Sequence, residues 1–377
     1  MRIMLLTTGL RLGGAEQQVA ALARQFVTLG HAITVVSLTP DCEVDLPNGI
    51  QTLRLNVHKT PLSMATALCR VRRLVQTWRP DVIHAHMIHA NLFARLLTRI
   101  CTVPITICTA HSYREGGALR MLAYRLTDRW SDLTTHVSTD GRRRMIELGA
   151  AAAERIIVIP NGIDTNHFRP SPEFRTETRA SLGVGGDEQL IVNVGRLVPE
   201  KAQSVLLDAF SMIATQTDAK LMIAGDGPIR ASLEGQIARL RLSGRVSLLG
   251  KRHDIPALLN AADLFVLSSE IEGMPLVVGE ALACGCPVVA TDASGVADLL
   301  AGTGKPVRRG NVQGLAQAMY EALRKGRGRV IEQVERHQHI ASNFGIEAIA
   351  KQWLHCYAGP HRSRKIAGNH PSHWHPV

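Results

Sequence analysis

The sequence predicts an α/β protein built from two Rossmann-like, doubly wound parallel-sheet domains that face a central cleft. Three observations indicate this architecture. Short apolar runs alternate with stretches of helical periodicity early in the chain, and the same alternation starts again at Leu190. Residues 161–187, between the two series, are rich in Pro, Gly, Asn and Ser without periodicity, as an interdomain linker is. A chain of 377 residues is long enough for two such domains.

The first domain, residues 1–170, begins with a continuous apolar run at residues 2–8, as a buried parallel strand does. A glycine-containing loop and a helix at residues 15–29 follow it. Further strands are predicted at residues 31–38, 82–85, 105–109 and 133–137, with helices at 62–77 and 90–100. The series predicts a parallel sheet of about six strands.

The second domain, residues 171–340, repeats the pattern of strand followed by helix. Its strands are predicted at residues 190–194, 220–224, 246–248, 264–267 and 288–290. Residues 341–358 predict one amphipathic helix that packs back onto the first domain. The tail at 359–377 is basic and contains histidines, and we expect it to be disordered.

The stretch from Asp263 to Thr291 predicts a strand, a polar loop, a helix and a second strand. Glu272 lies in the loop and Glu280 in the helix, and Pro275 suits the first helical position because its missing N–H costs nothing there. The start of this helix offers free backbone N–H groups and a positive dipole end. Two carboxylates around such a helix start favour a polyhydroxylated, anionic ligand.

The composition excludes several classes of protein. Hydrophobic residues make up 45% of the chain, and no apolar run approaches the roughly 18 residues of a membrane-spanning helix. The seven cysteines are scattered and odd in number, which favours a reducing, cytoplasmic setting over disulfide bonds. Aromatic residues make up only 4%, without an interleaved stacking platform, so we expect no nucleic acid as partner.

The net charge of +11 comes from the first domain and from the tail, which adds three positive charges. Residues 1–170 carry 20 Lys and Arg against 12 Asp and Glu, whereas residues 171–360 carry 20 of each. Any single arginine cluster is explained by a solvated basic surface. Together they favour an anionic partner, either a phosphate-bearing substrate or an anionic membrane surface.

Several residues in the first domain are candidates for a ligand site. Gly13 and Gly14 at a helix start let a phosphate approach the backbone, although a tight turn explains them equally well. His84 and His86 share a face of one strand, so a metal pair is conceivable, but no third ligand occurs at a suitable spacing. His111, at the carboxyl end of the next strand, is the better candidate for the cleft.

Two cations, Arg196 and Lys201, follow the first strand of the second domain. Acidic residues are normally preferred at the start of a helix. Two cations directly before a helix therefore indicate a role in binding a diphosphate. The segment at 225–228 (GDGP) ends the next strand, and a tight turn explains it.

The sequence resembles the retaining glycosyltransferases of family 4 over nearly the whole chain, up to about Tyr357. Five motifs carry the resemblance in the family's order: GGAE near the start, VIPNGID with Phe168 at the linker, GRLVPEK, AGDGP, and the paired glutamates of EGMPLVVGE. The resemblance implies the GT-B architecture, with the acceptor held by the first domain and a nucleotide sugar, most often a UDP-sugar, by the second.

The family's roles are transferred to matching positions of this chain. Arg196 and Lys201 would bind the donor diphosphate, and the Gly14 amide would close over it. Glu280 would accept hydrogen bonds from the ribose. Around the sugar, the resemblance implies Glu272, the backbone amides of Gly273, Met274, Pro275 and Leu276, and His111 from the first domain. The catalytic set is Glu272, His111, Arg196 and Lys201.

The resemblance implies no metal and no cofactor, and the chain has no Asp-x-Asp motif. Two positions depart from the family pattern. Ala202 stands where a glycine is usual, which we expect to leave Lys201 undisturbed. Asp298 stands where glutamate is common, which we expect to shorten a loop contact.

The sequence therefore predicts a retaining glycosyltransferase, cytoplasmic and peripheral on an anionic membrane, which acts on a lipid-linked or cell-surface polysaccharide or lipopolysaccharide precursor. The alternatives are a GT-B-fold sugar-nucleotide epimerase and a catalytically silent subunit that binds the nucleotide sugar. Glycosidase-style paired carboxylates remain open for Glu272 and Glu280.

Overall fold

The computed structural model describes residues 1–11, 13–58 and 60–359. These residues form two parallel β-sheets flanked by helices. Residues 360–377, which hold nearly all of the predicted disordered tail, lie outside the described residues. Within the described part of the chain, no helix is both long enough and apolar enough to span a bilayer.

The first sheet, as far as the chain is described, has seven strands in the order β3-β2-β1-β4-β5-β6-β7, all paired in parallel. These strands are β1 (Arg2–Thr7), β2 (Ala32–Ser37), β3 (Gln51–Arg54), β4 (Val82–His86), β5 (Ile105–Ala110), β6 (Leu133–His136) and β7 (Ile156–Val158). The helices of this half are α1 (Gly14–Thr28), α2 (Pro61–Trp78), α3 (Ile88–Leu97), α4 (Ala118–Thr127) and α5 (Thr139–Glu147).

The second sheet has five strands among the described residues, in the order β10-β9-β8-β11-β12. They are β8 (Leu190–Val194), β9 (Lys220–Ala224), β10 (Val246–Gly250), β11 (Leu264–Leu267) and β12 (Val288–Ala290). The helices that follow β7 in the chain are α6 (Pro172–Ser181), α7 (Gln203–Ile213), α8 (Arg230–Arg239), α9 (Ile255–Ala261), α10 (Leu276–Ala283), α11 (Val296–Leu299), α12 (Val312–Lys325), α13 (Val330–Phe344) and α14 (Ile346–Ala358).

Both sheets have the doubly wound topology that the alternating pattern predicts, so the predicted fold class is confirmed. The strand order reverses between β1 and β4 in one sheet and between β8 and β11 in the other. A crevice opens outside the carboxyl ends of parallel strands at such reversals, and ligands bind there. The loops after β1, β8 and β11 therefore lie where the sequence places its candidate residues.

Several elements differ from the expectation. The edge strand β3 was not predicted, because its residues are mostly exposed and form no apolar run. The helix α6 lies inside the stretch interpreted as an unstructured linker. Ser171 caps α6 through a hydrogen bond from the Phe174 N–H, and Pro172 occupies its first turn. Arg175 and Arg179 of this polar helix bind Asp263 at 2.5 and 2.9 Å, which attaches it to the second sheet.

The single helix predicted at 341–358 is two helices, α13 and α14, separated at Gly345. The Ile163 N–H donates to the Phe344 carbonyl at 2.7 Å, and the Ile346 N–H donates to the Ile163 carbonyl at 2.8 Å. These bonds use the backbone groups that would otherwise continue the helix, and Gly345 adopts an extended conformation. Beyond the break, α14 packs into the apolar core of the first sheet through Trp353 and its neighbours.

A buried ionic network fixes α4 to the first sheet. Arg95 on α3 has a fully buried side chain, and its guanidinium donates to the Tyr124 carbonyl (3.0 Å) at the end of α4. The same group donates to Asp128, which also accepts from Arg155 at 2.8 Å and from Thr134 at 2.9 Å. Asp128 therefore neutralises a buried cation that the surrounding apolar residues do not stabilise.

Replacement of Asp128 by alanine is expected to destabilise the protein by about 3–5 kcal/mol, because it leaves the Arg95 charge buried and unpaired. The change is measured as the free energy of unfolding in urea. Asp140→Ala serves as the control, since its pair with Arg143 is exposed at 42% and 68%. That control is expected to cost no more than about 1 kcal/mol. Equal costs for the two variants would contradict the network's role.

Candidate active site at the interdomain cleft

Lys201 and Glu272 form an ion pair at the carboxyl edge of the second sheet. Lys201 ends a short 3₁₀ turn after β8, and Glu272 lies in the loop between β11 and α10. Lys201 Nζ lies 2.6 Å from Glu272 Oε1, with side chains 23% and 9% exposed. The Glu270 N–H donates to the Glu200 carbonyl (2.9 Å), and the Ser268 hydroxyl donates to the Lys201 carbonyl (3.0 Å). Backbone contacts between the two loops thus set the position of the pair.

Arg196 is an exposed cation in the same loop after β8 that carries Lys201. Its guanidinium makes no hydrogen bond with any described residue, whereas its carbonyl accepts from the Gln203 side chain at 3.0 Å. The turn at residues 225–228 packs directly on this loop. Gly225 has φ +141°, and a Cβ there would overlap the Gly195 carbonyl oxygen. The missing side chain at Gly225 therefore lets the loops after β8 and β9 touch.

The start of α10 offers backbone N–H groups to the cleft. The helix begins at Leu276, so Pro275 is its N-cap. The prediction that Pro275 occupies the first helical position is therefore wrong. Proline has no N–H, so Pro275 cannot hold a sugar hydroxyl through an amide, and that part of the expectation is wrong. The N–H groups of Gly273, Met274 and Leu276 remain, and none donates to another described residue. They are free to bind a ligand.

Glu280 projects from α10 about one turn into the helix. It is half-buried, and its carboxylate accepts no hydrogen bond from the described residues. Burial raises the pKa of this carboxyl to about 7. A half-buried carboxyl without donors is stabilised by any ligand that brings hydroxyl groups to it.

The first domain contributes the start of α1 to the opposite wall. Gly14, the first residue of α1, is exposed, and a Cβ there would lie 3.7 Å from the Leu276 side chain of α10. Two helix N-termini therefore meet across the cleft, which concentrates positive potential between them. The Glu16 carboxylate lies over Gly13 at this end. Burial raises the pKa of Glu16, and the Arg196 charge opposes that rise.

Three histidines lie at the carboxyl ends of neighbouring strands of the first sheet, next to this wall. His84 and His86 on β4 are buried, and His111, which follows β5, is half-buried. His86 Nδ1 lies 3.0 Å from His111 Nε2. His84 is occupied on both nitrogens, by Tyr357 at 2.6 Å and Thr109 at 2.7 Å. Burial, together with the neighbouring histidines, holds the pKa values of His84, His86 and His111 well below the ordinary range, so these rings are neutral. His111 Nδ1 has no partner among the described residues.

The described residues contain no cluster of three or more His, Cys, Asp or Glu side chains that suits a metal ion. The conceivable metal pair of His84 and His86 is therefore not supported, because the hydrogen bonds of His84 leave it no nitrogen for a metal.

The two domains touch at Gly273. A Cβ at this position would overlap the carbonyl oxygen of His111, so the loops of the two domains meet backbone to backbone. The Tyr113 N–H donates to the Glu272 carbonyl at 3.0 Å, and the Ser294 hydroxyl donates to the Gly273 carbonyl at 3.2 Å. The loop that carries His111 is therefore fixed against the loop that carries the ion pair.

Two further contacts between the domains were not predicted. The Ser138 and Ser294 hydroxyls lie 2.9 Å apart, and the Thr139 N–H donates to Asp298 at 3.3 Å. Asp298, which is not among the predicted site residues, thus binds the first turn of α5 in the other domain. The local sequence indicates that Ser138 caps α5, because serine is a preferred N-cap residue. Nothing in the local sequence indicates that Ser294 is its partner across the cleft.

The predicted residues are linked by these contacts around one cleft. Lys201 binds Glu272, whose backbone holds the loop of His111. Arg196 is the charge that acts on Glu16 at the start of α1, and Gly14 faces Leu276. The arrangement brings two cations, two helix N-termini and a neutral histidine to one cleft. It suits a ligand with a diphosphate and several hydroxyl groups.

Sequence comparison assigns both halves of the chain. Residues 12–167 match the sequence model described as Glycosyltransferase Family 4, and residues 174–340 match that of Glycosyl transferases group 1. The chain belongs to glycosyltransferase family 4. This glycosyltransferase has the GT-B fold, as its superposition on Anabaena HepE shows. That structure, solved in complex with UDP, covers 95% of this chain and is itself covered completely, with a TM-score of 0.81 and 24% identity.

Two relatives illustrate the range of the family. The chain is 27% identical over 305 residues to the putative glycosyltransferase EpsF of Bacillus subtilis, covering 77% of this chain and 79% of EpsF. It is 28% identical over 241 residues to the Escherichia coli UDP-Gal:alpha-D-GlcNAc-diphosphoundecaprenol alpha-1,3-galactosyltransferase. That match covers 61% of this chain and 62% of the galactosyltransferase.

A Gly273→Ala substitution is expected to lower turnover at least ~100-fold, because a ~1 Å displacement at a reacting centre has a cost of that order. The new Cβ would overlap the backbone of His111, which no side-chain rotation relieves. The measurement is steady-state turnover of the nucleotide-sugar donor. Gly244→Ala is the control, since nothing lies within 4 Å of a Cβ there. Equal turnover in both variants would disprove the proposed constraint.

Glu280→Gln is expected to stabilise the ligand-free protein above pH 7. Because the folded-state pKa of Glu280 is raised to about 7, its native form keeps a proton that the unfolded chain has already lost. Stability is therefore lost as pH rises towards 7, and removing the charge restores on the order of 1–3 kcal/mol. Unfolding in urea at pH 4.5 and pH 8 measures the change. The exposed Glu177→Gln variant should show no pH-dependent gain, and a gain equal to that of Glu280→Gln would refute the assignment.

Proposed function

We propose that this glycosyltransferase transfers a sugar from a nucleotide-sugar donor, a UDP-sugar, with retention of anomeric configuration. The acceptor is a lipid-linked or cell-surface polysaccharide or lipopolysaccharide precursor. The meeting of Arg196, Lys201 and the starts of α1 and α10 at one cleft carries the proposal, since these groups match the charge of a diphosphate. HepE, whose fold this chain shares, has been crystallised with UDP and with UDP-glucose.

The charges of the site fit the bond that must break. Cleavage of the anomeric C–O bond leaves negative charge on the departing diphosphate and positive charge on the sugar. Arg196 and Lys201, with the N–H groups at the two helix starts, stabilise the first charge. Because these groups are held by the backbone contacts of their loops, they need little rearrangement during the reaction.

The carboxylates have separate roles in this proposal. Glu272 already accepts a charge-assisted bond from Lys201, and its second oxygen can hold a sugar hydroxyl near the reacting carbon. Glu280, deeper along α10, would accept bonds from the ribose hydroxyls. Neither carboxylate acts as a covalent nucleophile, and the leaving phosphate serves as the base on the same face of the sugar.

His111 completes the donor-sugar pocket from the first domain. Its ring is neutral, so its free Nδ1 can exchange one hydrogen bond with a sugar hydroxyl without adding charge. The reaction needs no metal ion, because the cations and helix starts supply the positive charge that a divalent ion would otherwise provide.

The proposed acceptor rests on the basic first domain, which would also bring the enzyme to an anionic membrane surface. The similarity to the galactosyltransferase that acts on a diphosphoundecaprenol-linked sugar supports an acceptor of this class. Within the first domain, arginine provides all cations except Lys59. Arginine is the side chain best suited to phosphate recognition.

Lys201→Ala is expected to lower donor turnover by about 10²–10³, the usual cost of removing one group that stabilises developing negative charge. A panel of UDP- and GDP-sugars is first screened for the donor that raises the melting temperature of the wild type most. Release of nucleoside diphosphate from that donor is then measured in buffer with EDTA. A requirement for added divalent cation would contradict the metal-free proposal.

The exposed Lys325→Ala variant is the matched control and should retain wild-type turnover. Unchanged turnover in Lys201→Ala would overturn the site assignment. If the donor were instead converted to an isomer without any acceptor and without release of nucleotide, the protein would be an epimerase.

A further inference from the structure

A groove lies on the first domain beside the cleft, between α4 and α5. We call it the α4–α5 groove, and it is lined by the loop at residues 113–117, by α4, and by α5 with the residue that follows it. Its volume is about 670 Å³. The buried methionines Met121 and Met145 form part of the lining, and Leu122 and Leu148 lie at its exposed edge. None of these four residues has a role in the donor site.

Three arginines line the same groove. Arg114 and Arg125 are exposed, and their guanidinium groups bind no described residue. Arg144 makes only a 3.5 Å pair with the exposed Glu147. One acidic side chain, Glu115, also lines the groove. It is buried, and burial raises its pKa to about 7, which reduces its negative charge near neutral pH. The groove therefore combines apolar walls with unpaired positive charge.

An apolar stripe continues from the groove along the outside of α4. Leu119, Leu122 and Leu126 are 83%, 48% and 68% exposed. Their spacing of three and four residues places them on one face of the helix. The buried Arg95 network already fixes α4 to the sheet. The exposed leucines therefore leave apolar surface in water without contributing to the packing of this helix. Contiguous apolar surface of this kind marks a binding site.

The groove is connected to the reaction site through one loop. This loop begins at His111 in the cleft, and its Tyr113 N–H binds the Glu272 carbonyl. Glu115 accepts hydrogen bonds from the N–H groups of His111 and Ser112 at 3.0 and 2.9 Å, which fixes the loop's shape. The next residues, Gly116 and Gly117, already line the groove. A molecule in the groove thus has one end beside the donor-sugar pocket.

We propose that the α4–α5 groove binds the acceptor as a single anionic amphiphile, a lipid phosphate or diphosphate that carries the receiving sugar. Arg114 and Arg125 bind the phosphate, the groove walls contact the first part of the chain, and the leucines of α4 contact the rest. This rests on the proposed transfer function. Charge complementarity and the concave site favour one bound molecule over a bilayer, because a flat membrane would leave the buried methionines unused.

The probe for this site is farnesyl diphosphate, compared with farnesol and with inorganic diphosphate in calorimetric titrations. Wild-type protein should bind farnesyl diphosphate at least ~10-fold more tightly than either fragment, since only the whole molecule satisfies both kinds of contact. The double variant Arg114→Gln/Arg125→Gln should lose ~10–100-fold in affinity, as expected for lost charge-assisted hydrogen bonds. Leu122→Ser should weaken farnesyl diphosphate and leave inorganic diphosphate unchanged.

The matched control is Arg239→Gln/Arg241→Gln, two exposed arginines of the second domain, and it should bind the probe as the wild type does. Circular dichroism checks that every variant is folded. Lys201→Ala should also keep full probe affinity, because the probe does not occupy the donor site. Loss of binding in Lys201→Ala, or equal binding by the groove double variant and wild type, overturns the proposal.

Vesicles of phosphatidylglycerol test whether a membrane surface, rather than one lipid phosphate molecule, is what the groove binds. If the groove variants lose vesicle binding and keep binding of monomeric probe, α4 is a membrane surface and the acceptor groove is wrong. Failure of the donor function gives a different pattern. In that case no nucleotide sugar raises the melting temperature of the wild type, while farnesyl diphosphate still binds with the expected variant effects and the groove assignment stands.

Discussion

The backbone contact between Gly273 and His111 is the constraint on which the cleft depends. One loop belongs to the second sheet and carries the ion pair of Glu272, and the other belongs to the first sheet and carries the histidine. Because neither loop places a side chain between them, the Tyr113 N–H reaches the Glu272 carbonyl directly. This short contact therefore sets the position of the Lys201–Glu272 ion pair relative to His111.

The site also contains its own counter-charges. Glu272 neutralises Lys201, and Glu16 lies at the start of α1 within the field of Arg196. These carboxylates stabilise the ligand-free cleft, in which unpaired cations near two helix starts would repel one another. Under the proposed function, the diphosphate of the donor must compete with these carboxylates for the cations. The proposal then implies selectivity for ligands whose negative charge compensates for the loss of those interactions.

Local sequence pattern predicted the fold and most of the proposed site. Apolar strands such as β1 and β4 are buried on both faces, so their composition alone identifies them. The loops after β8 and β11 were predictable because they directly follow such strands. The polar helix α6 and the exposed strand β3 carry no such apolar signal. Proline at 275 was placed one position too far into α10, since helix starts are poorly defined by sequence.

Contacts between distant parts of the chain have no local sequence signal. The bond between Thr139 and Asp298 depends on how two domains dock, and neither residue has an unusual local context. The same holds for Glu115, whose burial beside Tyr124 follows from the fold of α4 over the sheet. Such pairs were not identifiable from one sequence, because propensity and periodicity describe neighbours along the chain and not across a cleft.

The pairing of Ile163 with the Gly345 region limits how the two domains could move relative to each other. The chain passes between the domains twice, once before α6 and once between α13 and α14, and the two crossings are hydrogen-bonded to each other. Sliding or separation of the domains would break both bonds together with the packing of α14. A motion that keeps both bonds would have to turn about these two crossings, and residues far from them would then move furthest.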